Sequence, residues 1–271
     1  MKTKLIIIIS FALLIVIVIA IALRLRTADN KPVQTQIIAH RGFWDSEGSA
    51  QNSISSLQNA QKERFYGSEC DVHATLDGIV VINHDNDIDD LAINEHTFAQ
   101  LQNVKLKNGE SIPTLENYLK KTSESADTKL IIEIKPKSSQ VQEYNAVAAV
   151  LNLVEQLKME KYVEYISFSK YICQELKRKS PSSIVAYLAS APADALTPKA
   201  VKEEGFDGID YHFMLINAYP NWINEAKALG LTTNVWTVND EETMKKMLEL
   251  EVDYITTDKP LELRGIINNL R

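Results

Sequence analysis

Acidic side chains that could hold a cation lie close together in one stretch of the chain. Glu69 and Asp71 are separated by one residue, so on a β-strand they project from one face while Cys70 projects from the other and packs. Neighbouring carboxylates repel each other unless a proton or a cation lies between them, and Mg²⁺ and Ca²⁺ prefer oxygen ligands. The pair therefore indicates either a divalent cation site or only the solvated edge of a sheet.

A predicted turn further along the same stretch would place a histidine near these carboxylates. Asp77-Gly78 lies between two apolar runs and predicts a hairpin. The returning strand would carry His84 back towards the carboxylates. A histidine beside a metal ion and ionised groups is suited to general acid or base catalysis near neutral pH.

A third strand is expected to add a carboxylate to the pair. The run from Leu130 to Lys135 reads Leu-Ile-Ile-Glu-Ile-Lys, and by parity Glu133 and Lys135 share a face. A glutamate inside an apolar strand is costly to bury unless it is paired or binds metal. Lys135 could be that partner, but carboxylates from neighbouring strands favour a cation. The sequence has neither cysteine ligands nor a paired-histidine motif for zinc.

An alternation of strands and helices must position these groups. We predict strands at 37–41, 67–72, 129–135, 163–168, 184–188, 205–211, 231–238 and 254–257. We predict helices at 52–64, 114–121, 140–158, 170–179, 198–204, 219–229, 241–250 and 260–270. This α/β pattern predicts a TIM (βα)₈ barrel, whose active site lies at the C-terminal ends of its strands. The irregular stretch at about 73–113 is expected to be a small insertion after the second strand.

Other candidates stand at the ends of the remaining strands. These residues are His40 and Arg41, Asp210 and His212, Asn234 and Trp236, and Thr257 and Asp258. Trp236 is either a core aromatic or a wall of the substrate site. His73, with the parity of Asp71, is a weaker candidate. His96 is expected on the surface of a helix.

Composition limits the possible partners. The chain of 271 residues has 45% hydrophobic residues and a net charge of −7. That apolar content suffices for a packed core. The acidic balance, without a basic patch, argues against a nucleic-acid partner. Two cysteines form no disulfide framework, and protein partners stay open.

An apolar run from Leu5 to Leu23 precedes this body. It is long enough to cross a bilayer core of about 30 Å as a helix, and longer than the apolar region of most signal peptides. We expect residues 1–26 to be an uncleaved membrane anchor, with a cleavable signal as the alternative, and 27–35 to be a linker. The body at 36–271 is then expected outside the cytoplasm, in the cell envelope.

The motifs taken together resemble one family. His40-Arg41-Gly42, Glu69-x-Asp71, Asp77-Gly78, His84-Asp85, Glu133-x-Lys135 and Thr257-Asp258-x-Pro260 resemble, in order and spacing, the glycerophosphodiester phosphodiesterases over about residues 36–265. The resemblance implies a TIM barrel with an insertion after its second strand. It also implies hydrolysis of glycerophosphodiesters to sn-glycerol 3-phosphate and an alcohol.

The resemblance further implies a set of roles. Glu69, Asp71 and Glu133 would hold Mg²⁺ or Ca²⁺. Arg41, Lys135 and Trp236 would contact the substrate. His40 and His84 would be the acid–base pair, with neither assigned to one role.

One motif departs from the family pattern. The family has Pro-Glu-Asn-Thr after the first strand, and here residues 50–53 read Ala-Gln-Asn-Ser. Gln51 can accept a hydrogen bond near the substrate but supplies no charge. Two alternatives stay open, the first motivated by the N-terminal anchor and the second by Gln51. One is a phospholipase-type phosphodiesterase acting on lipid at the membrane, and the other is a catalytically inactive phosphate-binding module.

Overall fold

A computed structural model describes residues 35–125 and 127–270. The predicted membrane anchor or signal at 1–26, and all but the last residue of the predicted linker, lie outside the described residues. Among the described helices, none combines the length and apolar character needed to cross a membrane.

Eleven strands are present in these described ranges. In chain order they are β1 Gln36–Ala39, β2 Gly67–Ala74, β3 Val80–Ile82, β4 Asp87–Ile88, β5 Leu91–Ala92, β6 Lys129–Ile134, β7 Val163–Ser167, β8 Val185–Ala189, β9 Gly208–His212, β10 Thr232–Trp236 and β11 Tyr254–Thr257. Eight of them, β1, β2 and β6–β11, run parallel in the order β1-β11-β10-β9-β8-β7-β6-β2. Pairing of β1 with β2 closes the sheet. The predicted (βα)₈ barrel is confirmed.

Helices surround this barrel. They are α1 Ile54–Lys62, α2 Phe98–Leu101, α3 Leu115–Thr122, α4 Gln140–Gln156, α5 Lys170–Lys179, α6 Pro198–Glu203, α7 Phe213–Ala218, α8 Asn221–Ala228, α9 Glu241–Glu249 and α10 Pro260–Asn269. Thr114 caps α3, since its side chain accepts a hydrogen bond from the backbone N–H of Asn117. It satisfies one of the otherwise unpaired N–H groups of the first turn.

The strands bury apolar side chains on both faces. Their outward faces pack with the helices in one large core cluster, which includes the fully buried Cys70. A small second cluster of Ile38, Ile131, Ile166 and Leu188 fills the barrel interior. Burying each such side chain contributes about 1.5–3 kcal/mol. Above that inner layer the interior becomes polar, and the site begins.

The segment between β2 and β6 is more regular than its sequence suggests. β2 runs on to Ala74, and β3 pairs antiparallel with its end, Val72 opposite Ile82. A short β4–β5 hairpin, a 3₁₀ turn and α2 follow. The prediction that His96 lies on a helix surface is wrong. His96 has extended backbone between the 3₁₀ turn and α2, and its Nδ1 lies 2.8 Å from the carbonyl oxygen of Ala92.

Two further boundaries differ from prediction in ways that matter for the site. The first strand ends at Ala39 rather than at residue 41, because Arg41 has φ +55° and Gly42 has φ +78°. An additional helix, α7, follows β9, and the Nδ1 of His212 accepts a hydrogen bond from the backbone N–H of Met214. The sequence analysis predicted no element for this stretch.

Candidate active site

Three carboxylates meet at the C-terminal end of the barrel. Glu69 and Asp71 lie on β2 and Glu133 on the neighbouring β6, with Asp71 directly opposite Glu133 in the register. One oxygen from each lies within 4.8 Å of the others, and all three side chains are buried. Strand parity thus brings together the trio that the sequence predicted as metal ligands.

The donor set fits a hard divalent cation. It consists of carboxylate oxygens, the ligands of Mg²⁺ and Ca²⁺. Oε1 of Glu69 is buried and has no hydrogen-bond partner among the described residues. A buried polar atom without a partner costs free energy, which a bound cation would recover. The nitrogen and sulfur ligands typical of structural zinc sites are not part of the set.

Lys135 already supplies one positive charge to this trio. Its Nζ lies 2.7 Å from Asp71 Oδ1 and 2.8 Å from Glu133 Oε1. The ion pair with Glu133 that the sequence left as an alternative to metal binding is therefore present. It does not reach every ligand, because the free oxygen of Glu69 lies outside these pairs.

The charges in the trio are unequally stabilised. Burial, followed by the charges of Asp71 and Glu133, raises the pKa of Glu69 well above its ordinary value. Burial also raises the pKa of Glu133 to about 7, against the opposing effect of Lys135. At Asp71 the charge and hydrogen bond of Lys135 outweigh burial and lower the pKa. The site consequently holds more negative charge than Lys135 neutralises, and it would take up either protons or a cation.

A tight turn after β1 points Arg41 towards the carboxylates. Its backbone N–H donates to Glu69 Oε2 at 2.7 Å, and its Nε lies 3.8 Å from Asp71 Oδ2. The turn depends on Gly42, where a Cβ would lie 2.3 Å from the Oγ of Ser56 at φ +78°. In regular strand geometry the side chain of Arg41 would point away from the site, whereas the positive φ of Arg41 turns it towards the carboxylates.

The Ala-Gln-Asn-Ser motif at residues 50–53, which departs from the family pattern, lies beside this arginine. Gln51 Oε1 accepts a hydrogen bond from Arg41 Nη1 at 2.7 Å, so the neutral amide holds the guanidinium without pairing its charge. Asn52, with φ +58°, donates from Nδ2 to Asp71 Oδ2 at 2.8 Å. Asn52 thus orients a predicted metal ligand, a contact that the sequence analysis missed although it had singled out the motif.

His40 is held from behind by a carboxylate. Its Nδ1 lies 2.9 Å from Asp258 Oδ1. The same carboxylate accepts hydrogen bonds from Trp44 Nε1 at 3.0 Å and from Asn239 Nδ2 at 2.7 Å. Burial alone would raise the pKa of Asp258, but the hydrogen bond and charge of His40 and the two other donors lower it to about 2. With Nδ1 engaged, Nε2 is left for proton transfer.

His84 has a similar arrangement on the segment after β3. Its Nδ1 lies 2.7 Å from Asp85 Oδ1, and its side chain is 40% exposed. Burial and then the charge of Lys135 lower its pKa. His73 lies below it, with Nε2 at 3.3 Å from the His84 carbonyl oxygen and Nδ1 at 2.7 Å from Lys137 Nζ. His73 is buried in these contacts and supports the backbone that carries His84.

A cavity of about 180 Å³ connects these groups. Its lining includes His40, Arg41, Glu69, His84, Glu133, Lys135 and Trp236. Trp236 is thus a cavity wall, and its Nε1 donates to the Asp210 carbonyl oxygen at 2.9 Å. Asn234 pairs instead with Thr256, with its Nδ2 at 2.8 Å from Thr256 Oγ1. His212 caps α7 and contacts the ring of Phe213.

The arrangement provides what phosphodiester cleavage requires. Arg41, Lys135 and a cation site could neutralise a phosphate. Two histidines, each with its Nδ1 beside a carboxylate, could move protons. Sequence reasoning did not foresee Asp258 as the partner of His40, because that contact joins residues 218 positions apart, and it therefore also missed Asn239, which donates to Asp258. The only signal was the position of Thr257-Asp258 at the end of the last strand.

Comparison with known proteins places this geometry in a family. The family model described as "Glycerophosphoryl diester phosphodiesterase family" matches residues 40–262. A glycerophosphodiester phosphodiesterase of Caldanaerobacter subterraneus is 26% identical over 247 residues, which cover 87% of this chain and 98% of that protein. The match thus spans nearly the whole length of that relative.

Solved structures agree with the barrel. The crystal structure of a glycerophosphodiester phosphodiesterase from Parabacteroides distasonis has a TM-score of 0.85 and 42% identity, covering 88% of this chain and 99% of that chain. An Oleispira antarctica phosphodiesterase, solved in complex with the product sn-glycerol-3-phosphate, has a TM-score of 0.77 and 23% identity over 87% of this chain and 97% of that chain. The second likeness supports the fold alone.

Proposed function

This chain belongs to the glycerophosphoryl diester phosphodiesterase family, whose members hydrolyse glycerophosphodiesters, and we propose that it releases sn-glycerol 3-phosphate and an alcohol by a metal-assisted, two-histidine reaction. The observation that carries the proposal is the shared cavity, which Glu69 and Glu133 of the carboxylate trio line together with Arg41, His40 and His84. The Oleispira antarctica phosphodiesterase, which shares the fold, was solved with the product sn-glycerol-3-phosphate, and we propose the same product for this chain.

We propose that Glu69, Asp71 and Glu133 hold Mg²⁺ or Ca²⁺. When bound, such a cation would polarise a phosphoryl oxygen and stabilise negative charge that grows in the transition state. The support is the set of oxygen donors together with the partnerless Oε1 of Glu69. The choice between the two cations depends on ligand number and site rigidity, so both belong in the assay.

The cationic side chains would orient the diester. Arg41 is anchored through its backbone to Glu69 and through its guanidinium to Gln51. A guanidinium can donate two parallel hydrogen bonds to a phosphate. Lys135, on the opposite flank of Asp71, would contribute a point charge. Because both donors are fixed before substrate arrives, little reorganisation is needed in the transition state.

His40 and His84 would handle the protons. One removes a proton from the nucleophile, which is water or the glycerol 2-hydroxyl, and the other protonates the leaving alcohol. Asp258 fixes the ring of His40 and favours the tautomer with a proton on Nδ1, so that neutral Nε2 can accept a proton. A general acid or base contributes about 10²–10⁴-fold to the rate.

The test is a pair of alanine variants with a matched control. His40→Ala and His84→Ala should each lower kcat by at least about a hundredfold while leaving the melting temperature near that of the natural protein. His96→Ala, which removes a half-buried histidine from the insertion, should retain full activity. Wild-type turnover in either site variant would remove that histidine from the mechanism.

We further propose that the N-terminal segment anchors or exports the enzyme, with the catalytic body outside the cytoplasm. The support is the apolar run from Leu5 to Leu23, which is long enough to span a bilayer. Fractionation of expressing cells should recover the protein with membranes, and protease added to intact cells with a permeable outer layer should digest the body. Recovery in the soluble cell interior would contradict the assignment.

A further inference from the structure

A buried carboxyl group in the cavity has no role in the reaction described above. Asp210 lies on β9, lines the cavity and is only 2% exposed. Its Oδ1 is buried and has no hydrogen-bond partner among the described residues. An unsatisfied carboxylate oxygen in such a place is costly, so its presence at a cavity wall points to a ligand group that completes it.

The surroundings of Asp210 are mainly apolar and aromatic. Ile166, Phe168 and Leu188 line the same cavity, and the Trp236 ring packs edge-on against Phe168 at 5.6 Å between centroids. Within residues 35–125 and 127–270, Asp210 forms no ion pair with a lysine or arginine. Burial raises its pKa to about 7, and the amide of Asn234 opposes that rise only in part. This wall of the cavity therefore presents one carboxyl group, which can form hydrogen bonds, between apolar side chains.

The sizes of two neighbouring cavities indicate which half of the substrate reaches Asp210. The cavity of about 180 Å³ holds roughly six water molecules at about 30 Å³ each, enough for the phosphate and one small group. A second cleft of about 800 Å³ adjoins the site through Gln51 and Asp85, the partners of Arg41 and His84. The half that varies among glycerophosphodiesters fits the larger cleft, and the constant three-carbon polyol fits the smaller cavity.

We propose that Asp210 is a specificity-determining residue that binds the terminal hydroxyl of the substrate's glycerol half, while Trp236 and Phe168 pack against its carbon chain. This inference rests on the proposed function and names how the same site would recognise glycerol. The Asp210 carboxyl would accept a hydrogen bond from this hydroxyl group. A diester without that hydroxyl would leave Oδ1 of Asp210 buried and without a partner among the described residues, as in the free enzyme, and would be selected against.

The test compares three substrates on the full-length enzyme with Mg²⁺ or Ca²⁺. The first is glycerophosphocholine. The second replaces glycerol by propane-1,2-diol, which lacks the terminal hydroxyl. The third keeps glycerol and replaces choline by its uncharged carbon analogue, 3,3-dimethylbutanol. The natural enzyme should prefer the first over the second by about 10–100-fold in kcat/KM, the value of one hydrogen bond to a charged group.

The variant Asp210→Leu should reduce that preference to within about threefold, mainly by slowing the glycerol substrate. Its ratio between the choline and dimethylbutyl substrates should stay that of the natural enzyme. Asp210→Asn is the gentler substitution if the leucine variant does not fold, and it should still lower the preference at least about threefold. Glu164→Gln is the matched control, since Glu164 is a buried carboxyl that bonds to Tyr66 outside the cavity lining. It should keep the natural preference.

Three results would overturn the inference. The first is an unchanged preference for glycerol in the folded Asp210 variants, and the second is no preference in the natural enzyme. The third is a change confined to the choline and dimethylbutyl comparison, which would make Asp210 an ammonium site. Failure of the proposed function looks different, because the natural enzyme would then release no phosphomonoester from any of the three diesters.

Discussion

Replacing Lys135 by methionine should expose the charge imbalance of the carboxylate trio. The lysine Nζ lies 2.7 Å from Asp71 and 2.8 Å from Glu133. At an effective dielectric constant of about 20, each contact is worth roughly 6 kcal/mol before desolvation. Since desolvation offsets much of this, removal of one partner from a buried ion pair costs about 3–5 kcal/mol. The metal-free variant should therefore melt about 6–20 °C below the natural protein at pH 8.

Protonation sets the pH dependence of this loss. Burial already raises the pKa of Glu133 to about 7 in the presence of Lys135, and removal of the lysine raises it further. An acid whose pKa is higher in the folded state than in the unfolded state loses stability as pH rises, because the unfolded state releases its proton first. The deficit of Lys135→Met should thus be smaller at pH 6 than at pH 8.

A divalent cation should compensate for the missing ammonium group. In scanning calorimetry with EDTA and then with Mg²⁺ or Ca²⁺, the metal-induced rise in melting temperature should be larger for Lys135→Met than for the natural protein. A free cation concentration of about a hundred times Kd would stabilise the folded protein by about 2.7 kcal/mol. Lys177→Met, which breaks a partly buried pair with Asp207 remote from the site, controls for the loss of a lysine. Equal stability of the two variants, or no extra metal response in Lys135→Met, would refute the reasoning.

Three further outcomes are expected. Asp258→Asn removes the carboxylate beside His40 Nδ1, so kcat should fall about 10²–10⁴-fold with KM little changed. A rate within threefold of the natural enzyme would exclude a role of Asp258 in positioning His40. Gly42→Ala places a Cβ 2.3 Å from Ser56 Oγ at a positive φ, so urea titration should show a loss of about 1–3 kcal/mol, and unchanged stability would contradict the strained turn. Because the buried carboxyls must lose protons to bind a cation, calorimetric titration should show a lower metal Kd at pH 8 than at pH 6, and a pH-independent Kd would oppose the metal assignment.

The parts of the site that follow from local periodicity could be predicted from the sequence. Side chains alternate along a strand, so Glu69 and Asp71 share a face, as do Glu133 and Lys135. The barrel rule then places the ends of β2 and β6 on one rim. These two rules suffice to predict that the three carboxylates lie close together, without knowledge of any long-range contact.

The remaining contacts depend on backbone irregularities and on closure of the barrel. Arg41 reaches the site only because its φ is positive, which strand periodicity cannot indicate. The pairing of His40 with Asp258 joins the first strand to the last. Asp210 lies on a strand in which its neighbours are apolar, and only the packed interior shows that its Oδ1 has no partner within residues 35–125 and 127–270.

The most direct test of the account measures sn-glycerol 3-phosphate released from glycerophosphocholine by the full-length protein in detergent. The enzyme is first stripped with EDTA and then supplied with Mg²⁺ or Ca²⁺, and ³¹P NMR follows the conversion of diester to monoester. No turnover is expected in EDTA, and sn-glycerol 3-phosphate should be released once one of the two cations is added. Absence of release with either cation, from protein that calorimetry shows to be folded, would contradict it, and so would full activity in EDTA.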